Sequence, residues 1–593
     1  MEGVLENGII NRSIGSVRYY LTRPQKVKAV WMFLLSLISS VLDVAGLASL
    51  IPVMLAAAEP GGILKNKYFA YIFNLFSFHA ERNFLFFLIA GLLVFFLLKN
   101  IFSVWVNHVQ VKLTAEIGVT ITKSQLSKYL NFPFWYFNDL GSAILINNVL
   151  NIPISYVAGI LRVLIVVFSE GIIIAVIVVS ILLYKPLLIG LLAAILGPTM
   201  LITYRALRAR SQRVGDELNR LRPISFATSN NLFTGFVELK LADKQITLGD
   251  ALVDNQRTIQ SLEASSYLYS VLPLRIIEMV AIMGVLIIFL YSILVPNASS
   301  GLITLVGLFA AAAYRLMPSI NRILTGLVTL KQNQYAIEHL EMHREEKFKE
   351  PVHLEQLPLQ FKRSLTLENI SFSFPNTEKA ALSSVSLTIR KGEKVGFIGS
   401  SGSGKTTLMN LLLRFYSEQS GRIMVDNQPL TPQYLKAWHR IIGYVKQDTF
   451  LMESSIKDNI TLGDKQVDNE RLLYALEQAS LQDFVAGLPE GINTPIGERG
   501  SRLSGGQRQR IGIARAMYKR AQVLILDEAT SALDNETERE VSEAISGLSD
   551  SDITVLIVAH RITTLRDCDR IYELKDGKLW AEHQYADLVQ KFV

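Results

Sequence analysis

The stretch Lys394-Val-Gly-Phe-Ile398-Gly399-Ser400-Ser401-Gly402-Ser403-Gly404-Lys405-Thr406-Thr407-Leu408 decides the fold of the C-terminal half. A strand-like run, Lys394–Ile398, enters a loop of small residues, and an apolar helix, Leu408–Phe415, follows at once. Glycines in such a loop let backbone N–H groups approach phosphate oxygens, and the helix N-terminus adds partial positive charge. Lys405 is placed to neutralise β- and γ-phosphates, and the Thr406 hydroxyl to take Mg²⁺. The pattern predicts an α/β P-loop nucleotide-binding domain over residues 363–593, with ATP and Mg²⁺ as its cofactors.

Downstream, Val523–Leu526 reads as a second buried strand and ends in Asp527-Glu528. Asp527 would hold Mg²⁺, directly or through water, and Glu528 would orient and deprotonate an attacking water. Between the two nucleotide motifs, Leu503-Ser504-Gly505-Gly506-Gln507 opens a helix that runs to about Lys519. Its first residues form another anion-binding helix start.

Upstream the chain changes character. Of its 593 residues half are hydrophobic, and the mean hydropathy is +0.30, too apolar for an ordinary soluble enzyme. Before about residue 330 the apolar residues form long runs, so a membrane half precedes a soluble one. Six spans are expected: Val30–Ala58, Phe84–Trp105, Ile154–Tyr184, Leu187–Tyr204, Val271–Val295 and Gly301–Met317. Each offers enough apolar residues for a hydrocarbon core of ~30 Å. The expected division is a six-helix membrane domain over 1–343, a charged linker with Pro351 and Pro358 over 344–362, and the nucleotide domain beyond.

The net charge of +7 comes with no nucleic-acid-binding motif, so no nucleic-acid partner is expected, and the bilayer is the better account of the basic excess. With the N-terminus inside, segments 1–29, 106–153 and 205–270 hold seventeen Lys and Arg, against four in the outer segments. The positive-inside rule therefore places both termini, two long loops and the nucleotide domain in the cytoplasm, at the cytoplasmic (inner) membrane. The first 29 residues show no short apolar core with a small-residue cleavage site, so no cleavable signal peptide is expected. Cys568 is the only cysteine, which rules out an intrachain disulfide.

Near residues 63–78, Leu64, Tyr68, Tyr71, Ile72 and Leu75 recur at helical spacing and predict an amphipathic helix on the outer surface. Asp43, Arg162, Glu170, Arg275, Glu278, Arg315 and Arg322 fall in or near spans, where charge is expensive and usually faces a cavity or a partner. Arg275 and Glu278, three apart, could satisfy each other. Arg315 and Arg322, seven apart, share a face unless Pro318 kinks the helix. Segments Asn131–Leu140 and Thr234–Asp243, in the long inner loops, are candidate contact helices for a soluble motor.

The order of these motifs resembles the ABC exporter half-transporters, with Leu503–Gln507 in the place of the family signature. The resemblance implies further roles. Phe374, in Ile370-Ser-Phe-Ser-Phe374-Pro375, occupies the place of an aromatic that stacks on adenine, usually Tyr. Gln447, in Gly443-Tyr-Val-Lys446-Gln447-Asp448, matches a glutamine that reaches Mg²⁺ and the attacking water, although Lys446 replaces a common proline. Glu498-Arg499-Gly500 resembles a stretch that touches the partner domain, and Ser531–Asp534 a loop at the dimer interface. His560 matches a histidine on the γ-phosphate.

The family sandwiches each nucleotide between one subunit's phosphate loop and the other's Ser504, Gly505, Gly506 and Gln507. The resemblance therefore implies a homodimer, alternating access and two hydrolytic sites. The outer amphipathic helix and the stretch Tyr314–Arg322 resemble bacterial flippases of lipid-linked oligosaccharides. Arg275, Arg315 and Arg322 would then meet a pyrophosphate headgroup. Other lipids of the lipid A type and amphiphilic drugs are the alternative cargo, and an ATP-gated channel shares the layout.

Overall fold

The computed structural model describes residues 9–58, 67–132, 141–294, 302–342, 357–528 and 552–592, except 79, 185, 375, 376, 378 and 560, together with 134, 137, 539, 541, 543 and 545. The chain divides into two compact units. One comprises Met1–Phe132 and Asp139–Lys347, the other Pro133–Asn138 and Phe348–Val593.

The first unit is helical. A short α1 (Ile9–Tyr20) is followed by α2 (Arg23–Ala58), α3 (Lys67–Leu75) and α4 (Glu81–Leu130). Residues 142–161 alternate α-helix with two π-helical pieces, Asn147–Asn151 and Val157–Leu161, and lead into α5 (Arg162–Tyr184). Then come α6 (Pro186–Thr234), α7 (Phe236–Leu241), α8 (Gln245–Leu294), α9 (Leu302–Gln332) and α10 (Gln334–Glu341). Long helices overlap the expected spans, α5 beginning only at Arg162 where the expected span begins at Ile154. Among the described residues four stretches are long and apolar enough to cross a membrane: Arg23–Asp43, Arg82–Leu130, Ser142–Val179 and Gln245–Ile287.

A helix satisfies its own backbone, the condition for lying in lipid, and these helices turn apolar side chains outward. Leu93, Leu97, Ile101 and Val104 of α4 are all exposed. At 50 residues α4 is about 75 Å long, more than twice a ~30 Å hydrocarbon core, so much of it lies beyond the bilayer. The same holds for α6 and α8, with 49 and 50 residues.

The described core of this unit packs Ile117 and Ile121 of α4 against Tyr156 and Ile160, with Leu330 and Ile337 from the chain's last membrane-unit helices. The helix α1 is tied to α10: Arg12 pairs with Glu338 and Glu341, and the Tyr20 hydroxyl donates to the Leu340 carbonyl. Gly215 of α6 makes a notch for the end of α9, where a Cβ would stand 1.8 Å from the Gln332 carbonyl oxygen. Helix α3 falls within the expected outer helix, with Tyr71 and Leu75 exposed; Leu64 lies outside the described residues.

The second unit is α/β. A six-stranded sheet runs in the order β10-β9-β3-β8-β7-β6, built from β3 (Lys394–Ile398), β6 (Ile442–Lys446), β7 (Val523–Asp527), β8 (Thr554–Val558), β9 (Arg570–Lys575) and β10 (Lys578–His583). All pairings are parallel except that of β9 with β10. Side chains alternate across it as a strand requires. Val555 and Ile557 of β8 enter one core with Leu524 and Leu526 of β7, while Leu556 and Val558 enter the other with Val523 and Ile525. Burial on both faces explains why these strands are continuous apolar runs. An antiparallel sheet, β2-β1-β4-β5, joins β1 (Ser364–Phe372), β2 (Leu382–Arg390), β4 (Ser420–Val425) and β5 (Gln428–Pro429). Phe134 stacks on Phe415, ring centroids 4.6 Å apart, and meets Tyr416 edge-on.

Candidate nucleotide site

The site lies at the carboxyl ends of β3 and β7, where open parallel sheets place their ligands. Strand β3 ends at Ile398, and the loop Gly399–Gly404 turns into α11 (Lys405–Leu412). Gly404 has φ +105°, and a Cβ there would lie 2.9 Å from the Ala381 carbonyl oxygen, so only glycine fits. Lys405 Nζ donates to the carbonyls of Gly399 and Ser400, at 2.8 and 3.0 Å. Burial lowers the Lys405 pKa, while the negative charges of Glu528 and Asp527 pull it back up. Ser403 Oγ is buried and has no hydrogen-bond partner among the described residues.

A desolvated cation, two nearby carboxylates and an orphaned loop hydroxyl fit a phosphate chain with its metal. Phe374 and the run Ser401, Gly402, Ser403, Gly404, Lys405, Thr406, Thr407 line one cavity of about 380 Å³, with Glu528 on its wall. The Phe374 ring is held edge-on by Phe372 and Tyr416, at 5.3 and 5.6 Å, which fixes a flat apolar face for a base.

Asp527 closes β7. Burial raises its pKa, and the Tyr444 hydroxyl, donating to Oδ2 at 3.0 Å, works the other way. Glu528 follows with φ +54°, a left-handed conformation that is strained for a residue with a Cβ, and its N–H donates to the Val558 carbonyl at 3.0 Å. The strand end thus aims two half-buried carboxyls differently, Asp527 toward the Tyr444 hydroxyl and Glu528 on the cavity wall.

Ser504 caps α12 (Gly505–Tyr518) in a full capping box: its hydroxyl accepts from the Gln507 N–H, and Gln507 Oε1 accepts from the Ser504 N–H at 2.9 Å. None of Ser504, Gly505, Gly506 and Gln507 lines the nucleotide cavity of their own chain, nor does Gln447. His560 and Ser531–Asp534 lie outside the described residues. Sequence reasoning missed Tyr444, which is recognisable only through the parallel pairing of β6 with β7. It also missed Lys379 and Asp576, which line the cavity from outside every motif.

The three arginines of the first unit are not brought together by any described contact. Arg275 pairs with Glu278 at 2.9 Å, one turn along the same helix. Arg322 bridges α9 to α5, its Nε 2.6 Å from Glu170 Oε1 and its Nη2 donating to Oε2 at 3.2 Å. Helix α9 runs unbroken through Pro318, and the Arg315 side chain lies outside the described residues.

Residues 382–531 match the family model of the ABC transporter. Over those residues the chain is similar to that family. The "ATP-dependent lipid A-core flippase" of Cupriavidus metallidurans is 44% identical over 239 residues, 40% of each chain. That of Ralstonia nicotianae is 44% identical over 230 residues, 38% of this chain and 39% of the other. The chain thus spans about two-fifths of the length of the curated relatives it matches. The fold is similar to that of "Structure of a bacterial Atm1-family ABC exporter with ATP bound", which superposes with a TM-score of 0.76 at 21% identity, covering 96% of this chain and 97% of the other.

Proposed function

We propose that this chain is an ATP-driven exporter that moves an amphiphilic, phosphate-bearing lipid across the cytoplasmic membrane, working as a homodimer. The observation that carries it is one cavity joining Phe374, the phosphate loop and Glu528 in a domain fused to a bundle of membrane-length helices. The ABC ATPase domain supports the hydrolytic half of the reading.

In this reading Phe374 stacks the base, and the loop N–H groups with Lys405 hold the phosphates. Thr406, Asp527 and Gln447 would hold Mg²⁺, which when bound offsets phosphate charge. Glu528 aligns water for in-line attack and takes its proton, and His560 steadies the γ-phosphate. The site needs a second copy. Ser504–Gln507 do not line the cavity of their own chain, so a partner subunit's signature would close the nucleotide from the other side.

Two features support coupling through the inner loops. Phe134 is packed within the ATPase unit, and α7 carries exposed Phe236, Val237 and Leu241, apolar surface suited to grip a motor. ATP must favour the closed dimer by about 5.5 kcal/mol to switch it from 1:99 to 99:1.

The cargo reading of a polyprenyl-pyrophosphate glycan rests on the outer helix and on the arginines. Arg322 is already bidentate with Glu170, so a headgroup would have to exchange with that carboxylate. The first test is ATP turnover by purified protein. Lys405→Ala and Glu528→Gln should abolish it; turnover surviving both substitutions would place hydrolysis elsewhere.

A further inference from the structure

We propose that Asp576 reads the sugar of the bound nucleotide, its carboxylate accepting hydrogen bonds from the ribose hydroxyls. The inference rests on the reading of the cavity as a nucleotide site. Strands β9 and β10 are joined by two residues, with Lys575 paired to Lys578 across the turn. Asp576 and Gly577 both have positive φ, +48° and +74°, as a primed hairpin turn demands.

That turn is fastened to the phosphate loop. The Gly577 N–H donates to the Ser403 carbonyl at 3.1 Å, and the Ser383 N–H donates to the Gly577 carbonyl at 2.8 Å. A Cβ on Gly577 would lie 2.7 Å from the Ala381 carbonyl oxygen, so the backbone sits tight against the segment leading from Phe374. Asp576 is therefore fixed in place, and it lines the same cavity as Phe374 and the loop.

Chemistry decides what it meets. An ionised carboxylate only accepts hydrogen bonds, and it repels phosphate. The donors on a nucleoside triphosphate that it could pair with are the 2′- and 3′-hydroxyls and the amine of adenine. The amine lies at the far end of the base from the phosphates, whereas Asp576 is next to the residue that bonds Ser403. The ribose diol, between base and phosphates, is the donor within its range, and carboxylates bind such diols in other nucleotide folds.

An Asp-Gly pair is also simply a good hairpin turn, so the test must keep the turn and remove the carboxylate. Asp576→Gly does both, because glycine adopts the left-handed conformation freely. Kd and KM are measured on the full-length protein for ATP, 2′,3′-dideoxy-ATP and inosine triphosphate. Wild type should bind the dideoxy nucleotide about ten-fold more weakly than ATP, the loss of a charge-assisted hydrogen bond. Asp576→Gly should weaken ATP by about the same factor, leave kcat unchanged and erase the discrimination.

Unchanged ATP affinity with the discrimination retained overturns the inference. So does a penalty that vanishes with inosine triphosphate, because the carboxylate would then read the amine. If Asp576→Gly does not fold, Asp576→Asn keeps the turn and should still lose most of the discrimination. Sugar discrimination in binding without any hydrolysis would sink the exporter reading and keep this one; no nucleotide binding at all sinks both.

Discussion

Glu528 concentrates the account at the scale of one residue. Its φ of +54° costs backbone energy that glycine would avoid, and Glu528 stands on the cavity wall while the half-buried Asp527 accepts from the Tyr444 hydroxyl. Glu528→Gln should lower ATP turnover at least about 100-fold while Kd for ATP changes less than about three-fold, as expected for a residue acting on the reacting water. Phe374→Ala should raise KM for ATP about ten-fold, and Phe374→Tyr should leave it unchanged, because only the ring face is used. Steady-state kinetics on the purified protein reads both. Asp527 adds a pH effect. Burial raises its folded-state pKa above 3.8, so its ionised form costs stability at neutral pH and that cost fades as pH falls through the raised value. Asp527→Asn should therefore raise the apparent Tm of nucleotide-free protein at pH 7, with a gain that shrinks toward pH 4, while ending hydrolysis. The loop, its lysine and the Asp-Glu pair were legible in the sequence because their chemistry is local. Tyr444 was not, because its partner Asp527 is 83 positions away and is met only through strand pairing.

Elements tell the same story at longer range. Apolar run length located the four described stretches that are long and apolar enough to cross a membrane, since a lipid-facing helix has no polar alternation to disguise it. Alternation of Val555 and Ile557 against Leu556 and Val558 could not be read as two faces, because both faces are buried. The Arg275–Glu278 pair was legible at three-residue spacing, whereas Arg322–Glu170 joins helices 152 positions apart. Nothing in the sequence marked the two π-helical pieces, Asn147–Asn151 and Val157–Leu161. Helix packing gives a sharp expectation at Gly215, whose Cβ would strike the Gln332 carbonyl. Gly215→Ala should destabilise by roughly 1–3 kcal/mol and lower the apparent Tm by several degrees, as overpacking does. Gly249→Ala, on an open helix face, should be neutral or slightly stabilising by the same measurement.

At the scale of the whole molecule, a domain built around a phosphate loop follows a helical unit whose described helices expose apolar faces suited to lipid. Ser504–Gln507 do not line the nucleotide cavity of their own chain, and the proposed homodimer would bring a second copy of that segment to it. The sequence disclosed the two-part layout through hydropathy, but cargo depends on side chains in a cavity whose shape no linear pattern encodes. The central claim is that hydrolysis at Glu528 moves a phosphate-bearing amphiphile across the bilayer. The most direct measurement follows a polyprenyl-pyrophosphate glycan in proteoliposomes, with and without ATP, for wild type, Glu528→Gln and Arg315→Ala. The account expects ATP-dependent movement by wild type alone. Hydrolysis by wild type with no movement of the glycolipid would contradict it.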